Sequence, residues 1–264
     1  MVIDSHRHFW RYNDAEFGWI EDASLKRDFL PADSAAFDPC VAVEARQCVE
    51  ETKWLLELAA RHDFIKGVVG WLPIAAPDFE GTLERFLSSN GSGAEKLVGL
   101  RHVVQDEPDD GFILRPEFVR GVRTLLARGL AYDILVFERH LPNVVRFVDS
   151  QPEDARLVLD HFGKPRDFAS WRRLLREVAE RENVRCKLSG LVTEVGKTDF
   201  APFLETALEA FGPDRLMFGS DWPVVTAHME YAEWRDAVDS FAARLSPVER
   251  DALMGDNARR FYRL

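Results

Sequence analysis

The sequence predicts a single (β/α)8 barrel spanning residues 1–264, and three observations carry that prediction. Short β-branched runs alternate with longer stretches of helical period along the whole chain, which implies parallel strands joined by right-handed crossovers. About eight such strand–helix units fit into the chain length, the size at which barrels of this kind form one domain. The Gly-rich turn that opens a doubly wound dinucleotide-binding sheet is missing after the first strand.

The expected strands cover residues 2–8, 41–44, 65–71, 97–104, 131–137, 156–161, 184–189 and 215–220. A Trp-rich loop, residues 9–30, follows the first of them. Trp10, Phe17 and Trp19 in it are expected to pack over the barrel mouth, with walling of a pocket as the alternative. Between the second and third strands Trp54, Leu55, Leu58 and Ala59 recur at helical spacing and mark one buried helix face. Gly91-Ser92-Gly93 precedes a strand rather than a helix, so a turn is expected there. The acidic stretch 105–111 follows the fourth strand and is expected to be a loop on the face where barrels place their sites. Helices are expected over 231–245 and 246–261. Ser246-Pro247-Val248-Glu249 opens the second with an N-cap, a proline at the first helical position and a capping-box glutamate.

Composition narrows the function class. The chain is 46% hydrophobic and 30% charged, enough apolar material for a large core. A net charge of −11 opposes binding to phosphate backbones, and the arginines are scattered among carboxylates, so no nucleic-acid partner is expected. No apolar run approaches a membrane span and no leader pattern precedes the first strand, so no membrane partner and a cytoplasmic location are expected. Cys40, Cys48 and Cys186 are odd in number and widely spaced, the usage of reduced thiols. Monomer and homo-oligomer both stay open.

Three short segments carry chemistry. His6 and His8 alternate with Arg7, so their side chains leave one face of the first strand roughly 6.6–7 Å apart and can converge on one ion or water. The apolar run Leu157-Val158-Leu159 stops in Asp160-His161, placing a histidine at the end of the sixth strand. Asp221 follows Gly219 at the end of the eighth, which in a closed barrel neighbours the first. A carboxylate there can bind a metal, or accept a proton and later return it. Substrate contacts are expected from other strand ends: Glu44, Trp71, Arg101, His102, Gln105, Glu138, Lys164 and Lys187. Arg101 and His102 are adjacent, so a regular strand points only one of them inward, and sequence does not say which.

Taken together, His6-x-His8, Gly99-Leu-Arg-His102, Leu159-Asp-His-Phe-Gly-Lys-Pro165, Lys187-Leu-Ser-Gly190 and Met217-Phe-Gly-Ser-Asp-Trp-Pro223 resemble the amidohydrolase superfamily. More narrowly they resemble its amidohydrolase-2 branch, which holds sugar-acid lactonases and 2-pyrone-4,6-dicarboxylate lactonase. The resemblance implies a barrel that hydrolyses a small lactone, such as a fucono-, rhamnono- or galactono-lactone, as part of carbohydrate metabolism. It implies that His6, His8 and Asp221 form the metal- or water-binding core. His161 would bind the metal or steady the oxyanion, and Asp221 would take the proton of the attacking water.

The chain departs from the two-metal members. Its fifth strand offers no histidine, His140 coming only in the following loop, and its fourth offers Arg101 and His102 where those members carry a lysine. One divalent ion, zinc first, or none is therefore expected, since the branch includes members that work without metal. The competing expectations are metal-dependent decarboxylation of a small carboxylated ring and, in another class, a non-catalytic barrel that only binds.

Overall fold

The computed structural model describes residues 1–88 and 93–264. Eight parallel strands pair in sequence order: β1 (Asp4–Arg7), β2 (Cys40–Val43), β3 (Ile65–Gly70), β4 (Leu97–Val103), β5 (Ala131–Leu135), β6 (Leu157–Leu159), β7 (Val184–Leu188) and β8 (Leu216–Phe218). A parallel bridge between Arg7 and Trp222 joins the first strand to the segment beyond the last. There the Asp221 amide donates to the His6 carbonyl at 2.8 Å and the His8 amide to the Trp222 carbonyl at 2.7 Å. The sheet therefore closes as the expected single (β/α)8 barrel.

The helices follow the strands: α1 (Val49–Arg61), α2 (Phe79–Ser88), α3 (Pro116–Ala127), α4 (Leu141–Asp149), α5 (Phe168–Ala179), the short α6 (Leu191–Val195), α7 (Ala201–Phe211) and α8 (Tyr231–Ala242). In α1 the spacing that marked one face holds, with Leu55, Leu58 and Ala59 buried. The last expected helix is composite. After α9 (Pro247–Asp251) one π-helical turn, Ala252–Asp256, leads into α10 (Asn257–Tyr262). Ser246 caps it as expected, accepting from the Glu249 amide, with Pro247 first in the helix.

Apolar side chains form two bodies. The larger lies between strands and helices. The smaller fills the barrel at the N-terminal ends of the strands, where Ala258, Phe261 and Tyr262 of α10 meet Ile3, Val41, Val98 and Met217. The opposite end is left free for polar side chains.

Strands β6 and β8 are three residues shorter than expected, for one reason. Backbone just past β6 and β8 turns left-handed, with φ of 54° at His161, 57° at Phe162 and 59° at Asp221, so those residues leave the ladder. His161 and Asp221 stand on tight turns beyond their strands rather than ending them. The expected turn at 91–93 falls partly outside the described residues, and Gly93, with φ of 85°, is left-handed. No helix among the described residues is long and apolar enough to cross a membrane. All three cysteines are free, with Cys40 and Cys186 buried.

Candidate functional site

The strand ends opposite α10 surround a cavity of about 1040 Å3. His8, Arg101, Gln105, Lys164, His161 and Asp221 line it, in the company of Trp19, Arg46, Arg166 and Glu194. Trp10 and Phe17 pack beneath it in an aromatic cluster, whereas Trp19 is 45% exposed and forms part of the wall.

His6, His8, His161 and Asp221 meet at the cavity floor. Asp221 Oδ1 lies 3.3 Å from His8 Nε2, 3.8 Å from His6 Nε2 and 4.0 Å from His161 Nε2. The two imidazoles of the first strand face each other, Nε2 to Nε2, at 3.2 Å. Two glycines permit this convergence. A Cβ on Gly190, whose φ is 65°, would stand 2.5 Å from His161 Nδ1, and one on Gly219 would meet the His6 Cβ at 3.0 Å.

Hydrogen bonds orient each imidazole. His8 Nδ1 lies 2.9 Å from the Val43 carbonyl, which can only accept, so Nδ1 donates and Nε2 offers its lone pair to the site. The Ser189 hydroxyl is 2.9 Å from His161 Nδ1. When it donates there, His161 presents Nε2–H to the cavity. His6 Nδ1 lies 3.1 Å from the Lys187 ammonium, a donor without acceptor capacity. His6 Nδ1 also lies 3.4 Å from Asp160 Oδ1, and its Nε2 faces His8 and Asp221. Arg101 Nη1, 3.2 Å from that Nε2, has Asp160 Oδ2 as its acceptor at the same distance.

Below this floor lies a buried ionic layer. Lys187 Nζ contacts Asp133 Oδ2 at 2.5 Å and Asp160 Oδ1 at 3.0 Å. Arg101 Nε donates to Glu44 Oε1 at 2.8 Å. Burial is the largest single influence on Asp133 and Asp160. It pushes the Asp133 carboxyl up to about 6 despite the Lys187 ammonium. At Asp160 burial pushes the same way, but Lys187, His6 and Arg101 outweigh it and hold the carboxyl well below its ordinary range. Burial lowers His161 to about 4 and, reinforced by Lys187, lowers His6 well below an ordinary histidine. Burial also opposes ionisation of Asp221, yet the imidazoles of His161, His8 and His6 outweigh it and lower it. At neutral pH the floor holds the Asp221 carboxylate beside the uncharged imidazoles of His6 and His161.

The strand pleat decides between the adjacent pair on β4. Arg101 points into the barrel and His102 away from it. His102 accepts from Trp71 Nε1 at 3.2 Å, contacts Glu107 Oε1 at 2.7 Å and stacks on Phe112. Of the expected substrate contacts, Arg101, Gln105 and Lys164 line the cavity. Glu44 and Lys187 lie beneath it as counter-charges. Glu138 receives the Arg166 and Asp167 amides, and Trp71 and His102 hold each other outside. Sequence reasoning passed over Arg46, Arg166 and Glu194 on the rim and Asp133 below the floor. Only Asp133 left a signal, a lone carboxylate inside the apolar run Ala131-Tyr-Asp-Ile-Leu135.

The donor set fits a metal ion. Ligands of tetrahedral zinc stand ~3.3–3.6 Å apart, and the three atoms of His6, His8 and Asp221 are separated by 3.2, 3.3 and 3.8 Å. The His8 Nδ1–H to carbonyl bond is the support that metal-bound histidines use. His6, Asp160 and His161 form a second, overlapping group.

The family model described as "Amidohydrolase" matches residues 3–264. The chain belongs to the amidohydrolase family. This amidohydrolase is 44% identical to an L-fucono-1,5-lactonase of Burkholderia multivorans, over 100% of this chain and 96% of the relative. It is 33% identical to an L-fucono-1,5-lactonase of Burkholderia ambifaria, over 99% and 95%. A crystal structure of a Burkholderia multivorans amidohydrolase with bound zinc superposes with a TM-score of 0.90 at 44% identity, covering 100% of this chain and 99% of that one.

Proposed function

We propose that this amidohydrolase opens the ring of a sugar-acid lactone, with L-fucono-1,5-lactone or a close stereoisomer as its substrate. The observation that carries the reading is the Asp221 carboxylate held among three imidazoles on the floor of a cavity large enough for a sugar ring. Two full-length relatives with lactonase names support the substrate class.

The chemistry follows from the residues. A lactone carbonyl seated over the floor meets His161 Nε2–H and the Arg101 guanidinium, donors aimed where negative charge develops on the carbonyl oxygen. Asp221 Oδ1 accepts a proton from water as its oxygen bonds to the carbonyl carbon. The ring C–O bond then breaks, and the same proton passes from Asp221 to the leaving alkoxide. A divalent ion held by His6, His8 and Asp221 would supply Lewis acidity at this point, and zinc is the ion proposed. Arg46, Gln105, Lys164 and Glu194 on the wall are placed to bind ring hydroxyls.

A panel of aldono-lactones followed with a pH indicator tests the reading, since ring opening releases one proton per turnover at neutral pH. Acid release from six-membered 6-deoxy-galactono-type lactones is expected. Carbon dioxide without acid release would replace the reading with decarboxylation, and lactones bound but returned intact would replace it with a binding barrel.

Two further outcomes are expected. Zinc binds the chain at one equivalent, and His8→Gln weakens that binding at least ~10-fold, in the range seen when a ligand or its support is lost. Calorimetric titration reads this without turnover, and unchanged affinity would remove His8 from the ligand set. As pH falls from 7, turnover stays level until His161 approaches its value of about 4 and then drops, because the imidazolium pairs with Asp221 and removes its basicity. A rate that falls already near pH 6.5 would mean that His161 titrates as an exposed histidine.

A further inference from the structure

We propose that Asp4 is a positioning residue for Asp221 and acts through Ser220, across the seam where the barrel closes. Every other pair of neighbouring strands is joined by a main-chain ladder. Here β8 stops at Phe218, and β1 meets the segment beyond it through the single bridge from Arg7 to Trp222. A side chain takes up part of the missing ladder. The Ser220 amide donates to Asp4 Oδ1 at 2.8 Å and the Ser220 hydroxyl to Asp4 Oδ2 at 2.6 Å. The Trp222 amide in turn donates to Ser220 Oγ at 2.9 Å. Asp4 and Ser220 are both fully buried.

Asp221 thus stands between two residues that one carboxylate holds, the first directly and the second through a hydroxyl. Its backbone needs such support, because φ of 59° is a conformation that a residue with a Cβ keeps only when its surroundings impose it. Asp4 is also the counter-ion of Arg7, which donates to Oδ2 from Nε at 3.1 Å and from Nη2 at 3.0 Å. That pairing does not account for Oδ1. This second oxygen receives two main-chain amides, Ser220 at 2.8 Å and His6 at 3.1 Å, one beside Asp221 and the other at the facing imidazole. A single atom therefore ties the two sides of the floor together. An asparagine in its place cannot do the same. Turned either way, its NH2 group meets donors that have no acceptor capacity, the two amides at one position or the Arg7 guanidinium at the other. The Ser220 turn is then pushed off β1, and the Asp221 carboxylate goes with it.

The kinetic arm of the test rests on the lactonase reading, and the structural arm does not. In crystals of Asp4→Asn, Asp221 Oδ1 is expected to lie at least about 0.5 Å from its wild-type place, the tolerance within which a reacting group must be held. On the preferred lactone kcat should fall about 10- to 100-fold, the scale of a slightly misplaced reacting group, with KM within about 2-fold. Calorimetric titration of the chelator-treated variant with zinc should show affinity weakened at least ~10-fold, the effect of losing a group that orients ligands. Ser220→Ala keeps the amide bond to Asp4 and the Arg7 pair but leaves the Trp222 amide without its acceptor, so it should show the same changes to a smaller extent. If Asp4→Asn does not fold, Ser220→Ala decides. An Asp221 carboxylate in its wild-type place overturns the proposal, as does a displaced one with kcat and zinc affinity unchanged. A lower Tm with all three readouts unmoved gives Asp4 a role in stability alone, which also overturns it. Absence of turnover on every lactone in the wild type counts against the lactonase reading and leaves the crystallographic result standing.

Discussion

Asp221→Asn should lower kcat on the preferred lactone at least ~100-fold, the usual scale for loss of a general base, while the protein keeps its fold. Both halves of that expectation come from local geometry. The amide has nearly the shape of the carboxylate but no basic oxygen, so the proton of the attacking water has no acceptor. Asp221 also occupies a left-handed backbone position, φ 59°, which asparagine tolerates better than other replacements. The bond from its amide to the His6 carbonyl, which helps close the barrel, belongs to the main chain and survives. Steady-state kinetics beside a thermal melt separate the two effects. A rate within a few-fold of wild type would remove Asp221 from the proton path, and a lost melting transition would show that its charge holds the fold.

Lys187→Met should be the most destabilising single change in the barrel interior. The thioether keeps most of the stem's volume, so packing is nearly conserved and the loss is electrostatic. Asp133 and Asp160, neither with any exposure, lose the ammonium 2.5 and 3.0 Å away. Stranding a buried charge costs about 3–5 kcal/mol, which for a domain of this size corresponds to a Tm lower by roughly 6–20 °C. The double variant Lys187→Met/Asp133→Asn should recover part of that loss, because one of the two stranded carboxylates is then gone. A single variant that melts with the wild type would show that the acids are protonated in the native state and the layer is not ionic.

A pH prediction on stability follows from the same burial. His161 titrates at about 4 in the fold and near 6.5 when exposed. The unfolded chain therefore takes up a proton between those values that the native state refuses, and stability must fall as pH drops through that window. Its slope in denaturant melts between pH 6.5 and 4 should lessen in His161→Gln.

Much of the site was legible because it lies on short local patterns. His6 and His8 share a face by the two-residue period of a strand, and Asp221 and His161 each follow an apolar run that stops abruptly. The substrate wall was legible only in part. Glu44, Lys187 and Glu138 are charged residues at or near strand ends, just as Arg101 and Lys164 are. Whether such a group faces the cavity, supports the floor or caps a turn depends on which neighbours it meets across the barrel. Glu138, for example, is spent on two loop amides.

By itself the sequence determined the barrel, the order of its strands and the four residues that gather at its mouth, because alternation and apolar periodicity act over a few residues and leave few alternatives. The tertiary structure alone decided that Arg101 rather than His102 points inward, that His161 and Asp221 stand on left-handed turns past their strands, and that Tyr262 reaches Asp133 across 129 positions of chain. Those outcomes depend on curvature of the closed sheet, which brings distant side chains within 3 Å of one another, and no local pattern encodes that curvature.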